Sequence, residues 1–551
     1  MRRILSATLF LAAFTATTAA TQGFPQPSGF AVDDPVLRRI WAIETDSSQL
    51  PRLAQALFDS LGPRLTASPG MTAAQNWLLA TYTSWGITAR TEQYGTWRGW
   101  RRGRTHIDLV APRQRTLEGM MLAWSPPTPR ARPLRAPVVI LPDVADSAAF
   151  VAWLPQAKGK FVLISFAQPT CRPDDSWEKW ATQATADSLK ARRTAAQQAW
   201  QQRLQRTGYV VAGGGVAGAA GLSRRLEAAG VAGIIGSFWS QGWGVQKVFA
   251  AFTDRAPVLD VACEDYGLLY RLAENKQGPV VEVTAESQAL GEVPVFNVVG
   301  EIKGSQLPNE YVMFSAHFDS WDGGSGATDN GTGTITMMEA MRILKLVYPN
   351  PRRTILVGHW SGEEQGLNGS RAFVKDHPEI VSGLQALFNQ DNGTGRIEGM
   401  SASGFPDASA SLARYLARVP ADITRNIKFN FPGAPSGGGT DHASFVSCGA
   451  PGFGLGSGDW DYGRYTWHTN RDTYDKISFD DVKNNAALAA MLVYLASEDT
   501  VRVSREKRTV FAPTQSGQPG SWPECRDGQR STPPLTPPAP PPPPPSAVPR
   551  P

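Results

Sequence analysis

Residues Tyr311–Asp329, which read YVMFSAHFDSWDGGSGATD, decide how the rest of this chain is interpreted. Val312, Phe314 and Ala316 occupy every second position at the start of the stretch, and this period of two is typical of a β-strand. The alternation ends at His317, where carboxylates and a glycine-rich loop follow. Because ligands in α/β proteins bind where strands end in loops, the sequence predicts a metal-binding histidine at this strand end.

Three later hydrophobic runs end in the same manner, with a carboxylate or an imidazole close after the last apolar residue. The runs and the polar residues that follow them are Thr354–Trp360 with Glu363 and Glu364, Leu384–Gln390 with Asp391, and Tyr465–Trp467 with His468. One polar residue at a strand end has little meaning by itself. Its repetition at four ends indicates side chains that meet at one edge of a sheet.

The polar residues at these ends are of the types that bind zinc and related ions. The candidate metal ligands are His317, Asp329, Glu364, Asp391 and His468. A single zinc ion with an open position needs only three protein ligands, so five candidates predict two zinc ions with one shared ligand. The charges agree, because two divalent ions carry +4, the three carboxylates carry −3 and a shared hydroxide carries −1. A nearly neutral site avoids much of the cost of burying unbalanced charge.

Glu363 stands beside a candidate ligand without being needed as one. Adjacent residues after a strand point in different directions, so Glu364 can bind metal while Glu363 faces the reacting water. We therefore assign Glu363 as the general base, which takes a proton from water and returns it to the leaving amine. Asp319, two residues after His317, is predicted to orient the ring of that histidine.

The order of predicted elements divides the chain into a discontinuous catalytic domain and an insert. Outside the stretches above, the predicted strands lie around Tyr94 and at His106–Val110, Ala136–Leu141, Lys160–Ser165, Pro257–Ala262, Val280–Ala285 and Pro294–Val299, and the predicted helices lie within Asp34–Ile87 and at Asp174–Thr207. We assign residues 34–112 and 294–500 to the catalytic domain and residues 113–293 to a smaller inserted domain.

Two segments of unusual composition carry no catalytic assignment. Gly213–Gly218 matches the GxGxxG pattern of dinucleotide sites, but no acidic residue lies between Ala228 and Thr253 to hold a ribose. We interpret these glycines as sites of close strand–helix packing. Residues 531–551 are rich in proline, which predicts a disordered, extended tail.

The composition is that of a globular protein, and it excludes some function classes. Hydrophobic residues make up 42% of the 551 positions and charged residues 19%. The net charge of +5 is dispersed in short arginine clusters. No motif with base-stacking aromatic residues accompanies that charge, so a nucleic-acid partner is not expected.

The N-terminus predicts export. Met1-Arg2-Arg3 and the short apolar run that follows have the anatomy of a secretory signal peptide over residues 1–20. No later stretch reaches the length of a membrane span, so we expect an exported protein, periplasmic or extracellular, without a membrane anchor. The four cysteines, Cys171, Cys263, Cys448 and Cys525, can pair in three ways, and the sequence does not choose among them.

Taken together, these motifs resemble those of the dizinc exopeptidases, a family that includes secreted bacterial aminopeptidases, glutamate carboxypeptidase II and carboxypeptidase Q. His317–Asp319 resembles the first ligand motif of the family, Asp329–Asn330 its bridging ligand, and Glu363–Glu364 its base and adjoining ligand. Asp391 and His468 resemble its last two ligands. The stretches HFDSWD and GATDNGTG are most similar to the carboxypeptidase Q branch, as is LGPRLT near the N-terminus.

The resemblance implies a fold and an activity. The implied fold is α/β, a mostly parallel sheet sandwiched by helices, with an insert similar to a protease-associated domain. The implied function is a secreted metallo-exopeptidase with two zinc ions per chain, acting on peptide substrates as a carboxypeptidase or dipeptidase. It also implies a cis peptide between Asp329 and Asn330. An aminopeptidase of the same family is the alternative, and a glutaminyl cyclase and a non-catalytic receptor-like protein are further ones.

The sequence leaves open which end of a peptide is recognised. Arginines in loops near the ligands favour a terminal carboxylate, whereas aspartates equally near favour a terminal amine. The arginines are Arg396, Arg464 and Arg471, the aspartates are Asp441, Asp459 and Asp461, and the candidates for an oxyanion donor are Tyr462, Tyr465 and His442. The oligomeric state is also left open, a homodimer included.

Overall fold

The computed structural model describes residues 33–129, 132–210, 220–511 and 520–534. The predicted signal peptide over residues 1–20, the glycine cluster Gly213–Gly218 and most of the proline-rich tail lie outside the described residues.

Helices and strands alternate through most of the described chain. The strands are β1 (Thr88–Ala111), β2 (Arg115–Thr116), β3 (Gly119–Met121), β4 (Leu134–Ile140), β5 (Phe161–Leu163), β6 (Gly233–Gly236), β7 (Val258–Val261), β8 (Val280–Ile302), β9 (Leu307–His317), β10 (Arg353–Trp360), β11 (Leu384–Gln390), β12 (Ile397–Ser401), β13 (Lys428–Asn430) and β14 (Gly452–Ser457). The α-helices are α1 (Pro35–Ser47), α2 (Leu50–Ala54), α3 (Pro69–Ser84), α4 (Ser147–Trp153), α5 (Asp174–Trp180), α6 (Gln183–Arg206), α7 (Ala220–Ala228), α8 (Cys263–Glu274), α9 (Thr332–Val347), α10 (Asn368–Asp376), α11 (Pro378–Gly383), α12 (Ala408–Leu416), α13 (Ala421–Thr424), α14 (His442–Ser447) and α15 (Phe479–Glu498). Short π-helical turns lie at Gln55–Leu61, Ala327–Gly331 and Tyr462–Thr466, and 3-10 turns at Leu154–Ala157 and Tyr474–Lys476.

The centre of the molecule is a parallel sheet buried between two helical layers. β14, β11, β9 and β10 are parallel neighbours in that order. Every residue of β10 and β11 is buried, as expected for strands with helices on both faces. The predicted α/β fold with a mostly parallel central sheet is therefore confirmed, although antiparallel pairs lie on either side, between β10 and β8 and between β14 and β12.

Alternate residues of each central strand face different helices. On β9, Val312 and Phe314 belong to a hydrophobic core that includes residues of α1, α3, α9 and α15. Met313, between them, belongs to a second core with Phe373 of α10 and Phe445 of α14. The alternation of residues at the start of Tyr311–Asp329 thus belongs to a strand that is buried on both faces.

The predicted insert is joined to the central sheet by two long strands. β1 pairs antiparallel with β8 from Thr88↔Glu301 to Ala111↔Val280. Further along the same sheet, β4, β5, β6 and β7 form a second set of parallel strands. The predicted boundary at residue 294 falls within β8, and where one domain ends and the other begins stays a prediction.

Three details of the predicted elements were wrong. The two segments around Tyr94 and at His106–Val110 are one strand, and so are the two segments predicted between residues 280 and 299. Register shifts along the β1–β8 pair interrupt the alternation, which makes one strand read as two. The single helix predicted at Asp174–Thr207 is two helices, because Ala181 is extended and Thr182 caps α6 by accepting a hydrogen bond from the Thr185 amide.

Two disulfides resolve the pairing that the sequence left open. Cys171 pairs with Cys263 at the start of α8, and Cys448 pairs with Cys525. The second bond fastens the C-terminal segment 520–534 to the end of α14. Among the described helices, none combines the length and apolar character needed to cross a membrane.

Candidate metal centre

The five candidate ligands meet at one edge of the central sheet. β9, β10 and β11 run parallel, so their carboxyl ends lie side by side. His317 is the last residue of β9, Glu364 follows β10 by four residues, and Asp391 comes directly after β11. Asp329 lies in the turn before α9, and His468 lies shortly after β14.

His468 reaches this edge in a different way from the one the sequence predicts. The run Tyr465–Trp467 is not a strand, because Tyr462–Thr466 forms a helical turn in which the Trp467 amide donates to the Tyr462 carbonyl. The alternation of apolar and polar residues over Tyr465–Trp467 is too short to distinguish a strand from a helical turn. The turn ends in His468 with a left-handed φ of 62°.

The ligand atoms form two groups that share one residue. His317 Nε2 lies 3.0 Å from Asp391 Oδ1 and 3.4 Å from Asp329 Oδ1. His468 Nε2 lies 3.0 Å from Glu364 Oε2 and 3.3 Å from the other oxygen, Asp329 Oδ2. Within each group the three atoms lie within 4.8 Å of one another. Asp329 thus gives one carboxylate oxygen to each group, which is the arrangement that a shared ligand requires.

The environment of these carboxylates fits cations. Asp329 Oδ2 and Glu364 Oε1 are buried, and neither has a hydrogen-bond partner in the described part of the chain. Burial raises the pKa of Glu364 well above its usual range, and the charge of Asp329 raises it further. Imidazole and carboxylate donors in two groups of three suit a pair of divalent transition-metal ions.

The loop that carries Asp329 is shaped by glycine and held by buried charges. Gly326 has a left-handed φ of 61°, and a Cβ added there would lie 2.3 Å from that of Ser320. The Asp472 carboxylate accepts hydrogen bonds from the amides of Thr328, at 2.7 Å, and Asp329, at 3.0 Å. The Asp329–Asn330 peptide is cis, which confirms that expectation.

Arg64 holds the same loop from the N-terminal side. Its guanidinium is fully buried and donates to the carbonyls of Phe318, Ser325 and Gly326 at 2.7–2.8 Å. Sequence reasoning did not assign a role to Arg64 or to Asp472. The signal for Arg64 was its position in LGPRLT, which resembles the family, and Asp472 lies four residues after the candidate ligand His468.

Glu363 lies outside both ligand groups but lines the same cavity, which has a volume of about 460 Å³. Burial raises the pKa of Glu363 well above its usual range; His317 opposes this shift, and the carboxylate of Asp391 adds to it. The role of Glu363 as the general base stays a prediction.

The predicted role of Asp319, to orient the ring of His317, stays a prediction, and the structure places the Asp319 carboxylate between that ring and the loop after β10. The Nδ1 atom of His317 lies 3.0 Å from the backbone carbonyl of Asp319, whereas the carboxylate is 3.7 Å away. The carboxylate accepts hydrogen bonds in that loop from the amides of Glu363, at 3.2 Å, and Glu364, at 3.4 Å. It also accepts from the hydroxyl of Thr66.

The three arginines suggested by the sequence have partners away from the ligands. Arg396 pairs with Asp481, Arg464 with Asp175, and Arg471 with Glu118, at N–O distances of 3.4, 3.1 and 4.0 Å. A different arginine, Arg371 on α10, lines the cavity with Glu363 and Glu364.

Of the other candidates, one contacts the ligands directly. Tyr462 lines the cavity. Burial raises the pKa of Asp329, but His317 and His468 hold it below its usual range, and the hydroxyl of Tyr462 adds to their effect. Tyr465 packs against Gly242 of the predicted insert. His442 is half-buried and packs against Gly454, and desolvation of its ring lowers its pKa to about 4.

Comparison with known proteins gives a family match over the segment that carries the ligands. Residues 297–493 match the sequence model of peptidase family M28. Carboxypeptidase Q of Mus musculus is 28% identical over 266 residues, which cover 48% of this chain and 54% of that protein. The chain therefore spans about half the length of the curated relatives it matches. These matches confirm the resemblance to the dizinc exopeptidases and to their carboxypeptidase Q branch.

Solved structures support the fold over a longer part of the chain. A peptidase M28 precursor from Shewanella amazonensis superposes with a TM-score of 0.61 at 23% identity, covering 85% of this chain and 97% of that one. A zinc aminopeptidase from Bacillus subtilis superposes with a TM-score of 0.52 at 18% identity, covering 83% and 97%. At these identities the likeness concerns the fold alone.

Proposed function

We propose that this chain, whose residues 297–493 match peptidase family M28, is a zinc-dependent exopeptidase that removes terminal residues from short peptides. The observation that carries the proposal is the pair of ligand groups sharing Asp329, with Glu363 in the same cavity. His317 and Asp391 would hold one ion with Asp329, and Glu364 and His468 would hold the other. Bound there, two such ions polarise a carbonyl group and acidify water.

The protein's own part in the reaction belongs mainly to Glu363. Its carboxylate takes a proton from the attacking water and delivers it to the nitrogen of the leaving amine. The amide of Glu363 donates to Asp319, which fixes the start of the loop and keeps the base at a constant position. Tyr462 lines the same cavity, and its hydroxyl is the donor that we assign to the carbonyl oxygen of the substrate.

Arg371 favours recognition of a C-terminal carboxylate. Its guanidinium makes no ion pair or hydrogen bond with any other residue in the described ranges, and it lines the cavity that holds Glu363. Burial lowers the pKa of Arg371, the nearby Arg526 lowers it further, and Asp441 and Glu363 oppose these effects. A partly buried cation without a partner is suited to a substrate carboxylate. The proposed activity is therefore that of a carboxypeptidase or dipeptidase, as in the carboxypeptidase Q branch.

An aminopeptidase is the second candidate, and a specific observation supports it. Asp459 and Asp461 line a neighbouring cavity of about 470 Å³ that shares Tyr462 with the metal centre. Carboxylates at that position suit a free amine. The two candidates differ in which blocked substrate is cleaved.

The test uses one tripeptide in two forms, one acetylated at the N-terminus and one amidated at the C-terminus, with products identified by mass spectrometry. A carboxypeptidase cleaves the acetylated form, and Arg371→Gln should lower its kcat/KM by about 10- to 100-fold through the loss of a charge-assisted contact. Arg396→Gln is the matched control, because Arg396 pairs with Asp481 and does not line the cavity. Cleavage of the amidated form alone would identify an aminopeptidase.

The same measurements address the remaining alternatives. A glutaminyl cyclase would convert an N-terminal glutamine without cleaving either tripeptide. A receptor-like protein would bind zinc and cleave neither the tripeptides nor unblocked dipeptides, whereas a dipeptidase would cleave the dipeptides. Cyclisation alone, or zinc binding without any cleavage, would overturn the proposed function.

We also propose export, since disulfides form and persist in oxidising compartments, and the described residues contain two of them. A fusion of residues 1–33 to a reporter that is active only outside the cytoplasm tests this. Retention of the fusion inside the cell would contradict it.

A further inference from the structure

A second cavity lies beside the metal centre, and the reaction described above does not use it. Its volume is about 380 Å³. Five of the twelve described residues that line it are aromatic, namely Trp97, Trp124, Phe249, Phe252 and Trp321. Trp97 belongs to β1, Trp321 follows β9, and the other three belong to the predicted insert. We refer to this space as the aromatic cavity.

The aromatic cavity adjoins the ligands themselves. Glu364 lines both this cavity and the one that holds Glu363. The indole nitrogen of Trp321 donates to Glu364 Oε2 at 2.7 Å. The ring of Phe249 lies 5.1 Å from the ring of His468, centre to centre. A group in the aromatic cavity would therefore lie within a few ångströms of the proposed metal ligands.

The aromatic residues that line the cavity are held in place by contacts with one another and with Arg98. The rings of Trp124 and Trp321 meet edge to face at 5.9 Å, and those of Phe249 and Trp321 at 5.8 Å. The guanidinium of Arg98 lies 4.9 Å above the ring of Trp124 and donates to the carbonyl of Ala251. Rings fixed in this way form a preshaped surface rather than a loose cluster.

Polar atoms at the edge of the cavity point to the class of its occupant. Both amide atoms of Gln365 and the indole Nε1 of Trp97 are buried, and no described residue bonds to them. Buried polar atoms are nearly always paired, with protein, water or ligand. A peptide backbone has the N–H and C=O groups that could form hydrogen bonds with these unpaired atoms. A purely apolar molecule does not.

The C-terminal segment 520–534 closes the cavity. Gln529, Thr532 and Pro533 form its outer side. The segment is fastened by the Cys448–Cys525 disulfide, and the Arg98 amide donates to Thr532 Oγ1 at 2.6 Å. The cavity is therefore bounded on its outer side by covalently tethered chain.

We propose that the aromatic cavity is a subsite for a large aromatic or branched aliphatic side chain of the peptide, on a residue next to the cleaved bond. This inference rests on the proposed exopeptidase function and adds its substrate class. Burial of a phenylalanine side chain in such a cavity corresponds to about a 10- to 100-fold gain in kcat/KM over alanine.

The test compares zinc-loaded wild-type protein on two dipeptide series, X-Ala and Ala-X, in which X is Ala, Leu, Phe or Trp. In one series, kcat/KM for Phe should exceed that for Ala by about 10- to 100-fold. Ala250→Phe places a ring inside the cavity, because Ala250 lines it. In that variant the Phe-to-Ala ratio should fall to about threefold or less.

Two further variants make the test decisive if Ala250→Phe does not fold. Phe252→Ala enlarges the cavity and should shift the preference from Phe toward Trp. Gln288→Phe is the matched control, because it adds the same ring to a cavity that shares no lining residue with the metal centre or the aromatic cavity, and it should leave the Phe-to-Ala ratio unchanged. Hydrolysis of both series without preference, or a preference that survives both cavity variants, would overturn the subsite alone. No hydrolysis of any dipeptide by the wild-type protein would overturn the proposed function and the subsite with it.

Discussion

Replacing Arg64 tests how the metal-binding loop is held. Arg64→Met keeps the length and the apolar stem of the side chain but removes every donor. Three buried carbonyls, those of Phe318, Ser325 and Gly326, then lose their partner. Each unpaired buried group costs about 1–3 kcal/mol, so the free energy of unfolding should fall by roughly 3–6 kcal/mol, allowing for partial hydration.

The change should also weaken zinc binding, because two of these carbonyls belong to the loop that positions Asp329. Loss of a residue that holds a ligand in place typically lowers metal affinity by about 10- to 100-fold. The assays are urea unfolding of the metal-free protein and zinc competition against a chelating dye.

Arg353→Met is the matched control. Arg353 is also a buried arginine, and it donates to the carbonyls of Ser497 and Asp499 at 2.7 Å, away from the ligands. The free energy of unfolding of Arg353→Met should fall by an amount comparable to that of Arg64→Met, and its zinc affinity should equal that of the wild-type protein. If Arg64→Met binds zinc as tightly as Arg353→Met does, the loop does not depend on Arg64 and the reasoning is refuted.

Two further predictions concern stability and turnover. Burial and the nearby Glu339 raise the pKa of Glu44 from 4.5 to about 8, so the folded protein holds a proton that the unfolded chain releases, and the cost of Glu44 grows as the pH rises between these values. Glu44→Gln should therefore raise the Tm at pH 8 and change it little at pH 4, and an equal change at both values would contradict this. Asp319→Ala frees the amides of Glu363 and Glu364 and should lower kcat by about 10- to 100-fold in peptide assays, whereas Thr66→Val should have little effect.

The central strands could be predicted because burial on both faces requires a run of mostly apolar residues, which is visible in the sequence. β11 has the bounds predicted for it, Leu384–Gln390, and each of its residues is buried. β1 and β8 were harder to predict. Shifts of register, such as the one between Gln93 and Gly95, interrupt the alternation of apolar and polar residues. A local pattern then describes two short strands where the sheet has one long strand.

The site was predictable where function depends on residue type and less so where it depends on partners. Histidines and carboxylates after strands indicate candidate ligands, since few other roles combine these residue types. Arg64 and Asp472 form hydrogen bonds with backbone groups that lie far away in the sequence. The periodic pattern of a sequence does not indicate such contacts. For Asp319 the sequence places the residue beside His317 but gives no sign of the backbone amides of Glu363 and Glu364 that its carboxylate accepts from.

The proton-transfer role is tested by a pair of adjacent variants. Glu363→Gln should keep both ions and lower turnover by roughly 10²–10⁴ or more, since it removes the acceptor and leaves the ligands intact. Glu364→Gln should lower metal content as well as turnover. Loss of metal from Glu363→Gln alone would mean that the two roles are reversed.

The number of zinc ions bound per chain at full activity tests the shared-ligand centre most directly. Zinc is added back to metal-free protein in steps, and metal content and peptidase activity are measured on the same samples. Activity should reach its maximum at two ions per chain, and Asp329→Ala should lose more zinc than the alanine variant of any other ligand, because its oxygens belong to both groups. Full activity with one ion per chain would contradict the shared site.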